Sequence, residues 1–575
     1  MTEKKSLPLF YLGLCLLIAA GFFGCAKKEN PADLVLTNGK IVTADMSAPE
    51  AEAVAVSGDR IIAVGSVKKI KAYIGESTRV IDLQGRLAIP GFLDSHGHFT
   101  GVGEAQMVLD LTKAKNWDQI VVQVEDAVAK AKPGEWIRGR GWHQEKWDER
   151  PDPQVDGLPV HFNLSRVSPQ NPVLLRHASG HSCLANAKAM ELAGVTKATP
   201  NPPGGEIVKD EKGIPIGAFR ETAQGLIGRA LAASERQRTP ADVVEEEKRA
   251  IDLATQECLS KGITSFHDAG ASFETIDLYR ALAEEGKLGL RLYVMISEGN
   301  SSLRERIAQY KIIGAGQNHL TVRAIKRLLD GALGAHGAWL LEPYADLTSS
   351  VGLNTTPIET LREAANLAIE NDFQLCTHAI GDRANREILN IYEEALAGHP
   401  EKKDLRWRVE HAQHLDPQDI PRFGRLGVIA AMQGIHCTSD GPWVVKKIGE
   451  KRAAEGAYVW RELMKSGAVI ANGTDAPVED VNPIASFYAS VTRKMKDGTA
   501  FFAGQRMTRE EALLSYTLNG AYAAFQEEIL GSLTPGKLAD ITVLSKDLMT
   551  IPEEEILTAE VVMTIVGGRV LYTKS

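Results

Sequence analysis

Two histidines separated by one glycine, His96 and His98, close the short run IPGFLDSHGHFT, Ile89 to Thr100. On a strand, side chains alternate faces, so both imidazoles point the same way. Gly97 keeps the opposite face clear and lets the backbone approach a neighbour. Two neutral imidazoles on one face are ready nitrogen ligands for a divalent metal. The bland reading is a polar strand end with two solvated histidines, and an isolated H-x-H does not decide between them. The rest of the chain has to supply further ligands.

The elements that would position such ligands alternate strand and helix. Eight apolar segments read as strands: FLDSHGH, ITSFHDAG, LRLYVMI, LTVRAIKRLLDG, FQLCTHAIGD, RWRVEHAQH, GVIAAMQGIH and VIANGTDAP. Helical segments such as TPIETLREAANLAIEND lie between several of them. The pattern predicts an α/β fold, a (β/α)8 TIM barrel. An open doubly wound sheet is the alternative, but no G-x-G-x-x-G opens a helix after the first strand. Residues 101–260 are too long for one crossover and read as a cap inserted between strands one and two.

Barrel active sites gather at the C-terminal strand ends. The polar residues there are His96 and His98, Lys326, His378, His411 and Asp475. Each interrupts an apolar strand, where an unpaired polar side chain costs free energy. Six converging on one end ask for a shared metal. His336 and His436 also lie near strand ends. His267 and Asp268 close strand two, where they would orient a ligand. Glu410, beside His411, is expected on the opposite face.

The chain has 575 residues, 44% hydrophobic and 24% charged, with net charge −9. That is globular composition with length for a large core. The mildly acidic balance argues against nucleic acid as a partner. The segments DLVLTNGKIVTAD, EAVAVSGDRIIAVGS and RVIDLQGRLAIPG read as hairpins, as do KLADITVLSKD and EVVMTIVGGRVLYT at the far end. Neither set makes a stable sheet alone, so the two ends are expected to pair into one composite β-sandwich, residues 33–88 and 531–575. The barrel then spans 89–530.

Lys4 and Lys5 precede the apolar run LPLFYLGLCLLIAAGFFGC, a positive n-region followed by an h-region, so residues 1–25 read as a secretory signal. Gly24 before Cys25 resembles a bacterial lipobox, from which Phe22 departs. That reading implies lipidation of Cys25, a tether over 26–32 and an exported, membrane-anchored lipoprotein. A plain signal peptide and an uncleaved anchor are the alternatives. Cys183, Cys258, Cys376 and Cys437 are scattered, so buried free thiols are expected.

The ligand order and the words PGFLDSHGH, DGALG, HAIGDRAN, EHAQH and GTDAPV resemble the amidohydrolase superfamily. They are closest in style to its amidohydrolase-3 branch, which includes N-substituted formamide deformylases. The resemblance runs from about residue 33 to the end and includes GWHQEKW and RHASGHSCLANAKAM in the cap. It implies a distorted barrel in which His96 and His98 bind one metal and His378 and His411 a second. Lys326, carboxylated on Nζ by CO2, would bridge the two, and one metal is the fallback. Asp475 would ligate the first metal and move the proton of a metal-activated hydroxide. Zinc fits these N/O ligands, though ligand type alone leaves manganese, iron and cobalt open.

The activity implied is hydrolysis of a non-peptide C–N bond in a small-molecule amide or N-substituted formamide. A heterocycle deaminase, ester or phosphotriester cleavage, and an inactive binding lipoprotein are the rivals. The deaminases' H-x-x-E is missing after His378, and an inactive relative would show a broken ligand. Arg327, where an aromatic or aliphatic residue is more usual, points away only if strand four holds its register. Otherwise Lys326 is an ordinary lysine paired to Asp330. In the cap, His177, His181 and Asn186 either position substrate or cap a helix starting near Ser182. Trp142 and Trp147 either wall the pocket or pack a core. The oligomeric state is open, a homodimer included.

Overall fold

The computed structural model describes residues 30–235 and 239–574. The reading of residues 1–25, Cys25 included, lies outside them. All eight expected barrel strands form: β1 (Phe92–Gly97), β2 (Ile263–Ala271), β3 (Arg291–Ile296), β4 (Leu320–Leu328), β5 (Gln374–Ala379), β6 (Arg408–His411), β7 (Ile429–Gln433) and β8 (Ile470–Gly473). Neighbours in sequence pair as neighbours in space, all parallel. Every residue of β1, β3, β5, β6, β7 and β8 is buried, because helices cover the outside and side chains fill the inside. This is a TIM barrel. Its last seam is made just past the strands: Asp475 N–H donates to the His96 carbonyl and His98 N–H to the Ala476 carbonyl, each at 2.7 Å. The seam joins the two segments that carry H-x-H and the aspartate.

The two chain ends share a six-stranded sheet. In it Leu87–Pro90 pairs antiparallel with Ile541–Leu544 and parallel with Lys40–Val42. A four-stranded sheet holds Arg60–Gly65, Ala53–Ser57, Leu34–Thr37 and Arg79–Asp82. Two expected hairpins, EAVAVSGDRIIAVGS and EVVMTIVGGRVLYT, form. Two do not. The strands either side of Asn38-Gly39 enter different sheets, and so do those either side of Gln84-Gly85. Asn38 and Gln84 have φ of +58° and +54°, so these turns redirect the chain instead of folding it back on itself. This β region meets the N-terminal ends of β2 and β3. Arg291 makes a buried two-pronged ion pair with Asp540 at 2.8 and 2.9 Å, and Thr542 Oγ1 donates to the Gly262 carbonyl at 2.6 Å.

Between β1 and β2 lies a six-stranded mixed sheet: Gly205–Lys209, Pro215–Glu221, Ser182–Ala185, Val173–His177, Ile137–Trp142 and Leu109–Asp110, in that order. It has its own apolar clusters, around Trp117, Trp142 and Leu175 and around Phe219 and Ile227. The helix Pro240–Ser260 brings the chain back to β2. It starts at a capping box in which Thr239 and Asp242 satisfy each other's backbone N–H.

Candidate metal centre

His96 lies near the end of β1 and His98 just past it, while a bulge in the pairing with β2 separates Asp94 from Gly97. Asp94 accepts from Thr474 N at 3.1 Å and His96 N at 3.2 Å, tying β1 to the segment after β8. Burial pushes its carboxyl up to about 7. Gly97 is forced by space: a Cβ there would lie 2.4 Å from Phe266 Cζ. Asp268 accepts from Phe99 N at 3.2 Å and from the Tyr279 hydroxyl at 2.8 Å, fixing the chain just beyond His98.

The strand ends converge. His96, His411 and Asp475 each offer a ligand atom within 4.8 Å of the others. His96 Nε2 is 3.5 Å and His98 Nε2 3.2 Å from Asp475 Oδ1. The His378 ring lies 4.5 Å from that of His411. The compact trio thus takes members from both halves of the division the resemblance implies. Its geometry comes from backbone that leaves the strand pattern: His411 has φ +76°, Ala412 +43° and Asp475 +57°. These left-handed residues turn side chains over the barrel mouth, an arrangement that persists only where the surroundings impose it.

That turn also explains a correction. Glu410 was expected to face away from the site, yet it lies inside the barrel, its carboxylate against His96 Nδ1. Arg408 and Glu410 follow the strand alternation inward, and His411 is the residue that departs from it. Arg408 grips Glu410 at 2.7 and 2.9 Å, the Ser95 carbonyl at 2.6 Å and His267 Nδ1 at 3.2 Å. Burial alone would raise the Glu410 pKa, but Arg408 and then His96 outweigh it and hold the carboxylate ionised. It fixes His96 with Nε2 facing the mouth, as a carboxylate behind a metal-binding imidazole does. Gln433 holds His411 Nδ1 in the same way, at 2.7 Å.

Lys326 points into the barrel, with Nζ 3.4 Å from the Ala269 carbonyl. Arg327 reaches outward to Asn300 Oδ1 at 2.7 Å, so the register of β4 holds. Asp330 does not pair with the lysine. It accepts from Trp339, Ile380 and Gly381 N–H at 2.8 to 3.0 Å and knots the loop after β4 to the end of β5. Burial lowers the Lys326 pKa although Glu410 and Asp475 oppose it.

Buried polar atoms normally find partners. Among the described residues His96 Nε2, His378 Nε2 and His436 Nε2 make no hydrogen bond, and Asp475 Oδ1 meets only the candidate ligands His98 Nε2 at 3.2 Å and His96 Nε2 at 3.5 Å. Burial, then the Lys326 charge, lowers His96 to about 4, and burial holds His378 and His411 well below the usual range. The imidazoles are neutral, which is the form that binds metal. Burial pushes Asp475 up, but the His98 hydrogen bond with His411 and His96 overrides it, so the carboxylate is ionised. Neutral nitrogens and one anionic oxygen, buried and converging, fit a divalent cation.

Above them opens a narrow pocket, bounded by His181, His378, His411, His436 and Asp475 and walled by His143, Trp443, Lys146, Asp440 and Glu479. The cap residues divide. His181 lines the pocket with its ring 4.9 Å from that of His378, and Glu221 Oε2 holds its Nδ1 at 2.7 Å. Glu221 is nearly buried, with φ +49°. It fits only because Gly331 and Gly337 have no side chain: a Cβ there would lie 1.9 and 2.3 Å from Glu221 Oε1. His177 lines the pocket and contacts Gln144 Oε1 at 3.1 Å and Ser179 Oγ at 2.8 Å.

Two cap expectations are corrected. Trp142 is wholly buried in the cap core, donating Nε1–H to the Leu175 carbonyl at 3.0 Å, and it backs His177 without reaching the pocket. Asn186 is also wholly buried. Its Oδ1 accepts from Val173 N and Ala189 N, and its Nδ2 donates to Ser168 and Asn171, so nothing is left for a substrate. It caps the helix Ala187–Leu192, whereas Ser182 lies in a strand. Arg408, Gln433 and Glu221 were missed. Arg408 and Glu410, two residues apart in an apolar strand, carried the one legible signal.

A closed parallel barrel with unpartnered imidazoles and an ionised aspartate at its C-terminal mouth defines the class, a metal-dependent hydrolase barrel. The chain belongs to the amidohydrolase family, whose model matches residues 79–572. The protein LONG AFTER FAR-RED 3 of Arabidopsis thaliana is 33% identical over 554 residues, covering 94% of this chain and 92% of that one. The N-substituted formamide deformylase of Arthrobacter pascens is 26% identical over 566 residues, covering 94% and 99%. A metal-dependent hydrolase from Pyrococcus horikoshii has a similar crystal structure, with TM-score 0.71, 26% identity and 91% and 99% coverage.

Proposed function

We propose that the protein hydrolyses a non-peptide C–N bond of the amide or N-substituted formamide class. The observation that carries this is the convergence at the barrel mouth of His96 Nε2 and His378 Nε2, buried and without a hydrogen bond among the described residues, with Asp475 Oδ1, which meets the candidate ligands His98 and His96. His96, His98, His411 and Asp475 would hold one divalent cation, zinc by ligand type, and His378 a second. When bound, a divalent cation lowers the pKa of water and polarises a carbonyl. Asp475, held ionised, takes the proton of the attacking water and returns it to the leaving nitrogen. His181, steadied by Glu221, faces the same space and orients the substrate. Glu410 and Gln433 keep His96 and His411 aimed at the mouth.

Lys326 is the site for CO2. Burial favours its neutral amine, whose lone pair adds to CO2 with loss of a proton to give a carbamate with two oxygens. That anion would bridge two cations, as an ammonium could not. The deaminase reading is weaker, because the carboxylate after His378 is Asp382, which accepts from Leu341 N at 2.8 Å and Arg383 N at 2.9 Å.

The same reading takes residues 101–260 as a cap that shapes specificity and the sheets at the two chain ends as a sandwich. It takes the chain as exported and anchored through lipidated Cys25. Labelling with a radioactive fatty acid, lost in Cys25→Ser, tests the anchor. Incubation of the metal-loaded protein with a panel of N-substituted formamides and acetamides, reading formate or acetate release, tests the chemistry. Turnover abolished in Asp475→Asn is expected. Release of ammonia from aminoheterocycles with no acid released from any amide would overturn it.

A further inference from the structure

We propose that Arg140 and Arg176 form an anion subsite beside the metal centre that receives a carboxylate carried on the amine half of the substrate. This rests on the C–N hydrolase reading and adds the charge of the molecule being cleaved. The parallel strands Ile137–Trp142 and Val173–His177 set Arg140 directly opposite Arg176. Like charges placed opposite each other across a sheet destabilise it. No carboxylate lies within ion-pair distance of either guanidinium among the described residues. Arg138, two residues earlier, has Glu246 at 3.3 Å and Glu235 at 3.8 Å.

The position is not incidental. Arg140 donates to the carbonyl of Pro477, two residues after Asp475, and to that of Ala178 at 3.3 Å, next to His177. It therefore bridges the inserted sheet and the segment that carries the aspartate. His98, Pro477, Arg140 and Arg176 line a cavity that meets the pocket over the metal centre at Ser179 and Val478, which line both. The carboxylates nearby are otherwise engaged. Asp110 accepts from Thr112 N at 2.9 Å and from its hydroxyl, and Glu247 accepts from Thr275 Oγ1 at 2.6 Å. Glu104 also lines this cavity, and burial holds its carboxyl above its usual range despite Arg176 and Arg138. Two adjacent guanidiniums with no ion-paired carboxylate among the described residues, one step from the scissile-bond pocket, match the planar two-point recognition of a carboxylate.

The test uses formamidoacetate, 3-formamidopropanoate and 4-formamidobutanoate, each against its uncharged primary amide. Binding is read by calorimetry and hydrolysis by formate release, on the metal-loaded protein and on Arg140→Gln and Arg176→Gln. Arg176 is exposed, so its variant keeps the test valid if Arg140→Gln fails to fold. At least one carboxylate should bind about tenfold or more tighter than its amide, and Arg176→Gln should abolish the difference. The chain length preferred measures the reach from metal to arginines. Equal binding of acid and amide by the parent, or a preference that survives both substitutions, would overturn the subsite. If no formamide is cleaved but the charge preference appears and is lost in the variants, the subsite stands and the C–N reading falls.

Discussion

The barrel mouth and the inserted sheet both present buried polar side chains to one pocket, yet they use them differently. At the mouth, His96 Nε2 and His378 Nε2 make no hydrogen bond among the described residues, while Glu410, gripped by Arg408, locks His96 and Gln433 locks His411. At the edge of the inserted sheet, Asn186 spends every polar atom on backbone groups and the Ser168 hydroxyl around a helix start. A buried polar residue that satisfies its surroundings builds structure. One held in place by others and left unsatisfied awaits a ligand.

The largest effect should come from the mouth. Asp475→Asn removes the ionised oxygen and should cut turnover by about 10³-fold or more with the melting temperature nearly unchanged. If turnover survives, the aspartate is not the proton carrier. The opposite signature belongs to Asn186→Ala, which leaves buried donors and acceptors unpaired. It should cost about 3 kcal/mol in denaturant unfolding, while folded protein keeps its kcat. A loss of kcat at full stability would return Asn186 to the substrate site.

Glu410→Gln sharpens the contrast, because the residue binds no metal itself. Metal affinity should weaken about 10- to 100-fold in a chelator competition, and added metal should restore activity. A smaller effect follows acidification of metal-free protein. His96 lies near 4 when folded against 6.5 unfolded, and His177 and His414 near 3. Between those values the unfolded chain binds more protons, so stability present above pH 6.5 is lost as pH falls through this window. From pH 6.5 to 5 the loss should be on the order of 1–2 kcal/mol per imidazole, read by melts across pH. A flat profile would mean that these rings are not held neutral.

Much of the barrel was legible in the sequence, because a polar residue ending an apolar strand has no local use, and all eight strands were placed. His411 was found by that signal, but its orientation was not, since a left-handed backbone carries no mark in the sequence. For the same reason Glu410 was assigned to the wrong face. In the cap, RHASGHSCLANAKAM mixes pocket residues with a helix cap, and only burial and partners separate His181 from Asn186. Hairpin signals at Asn38-Gly39 and Gln84-Gly85 were real turns, but which sheet each strand joins is set by contacts more than 450 residues away in the chain, such as Ala88 with Val543.

Metal content per chain, measured on protein lacking residues 1–25 after zinc and bicarbonate supplementation, bears most directly on the central claim, with Asp475→Ala and Lys326→Ala alongside. The account predicts at least one cation in the parent, loss in Asp475→Ala, and a fall from two to one or fewer in Lys326→Ala if the lysine carries a bridging carbamate. A parent that holds no metal under these conditions would contradict it, because the unpartnered atoms of the barrel mouth would then have no ligand to explain them.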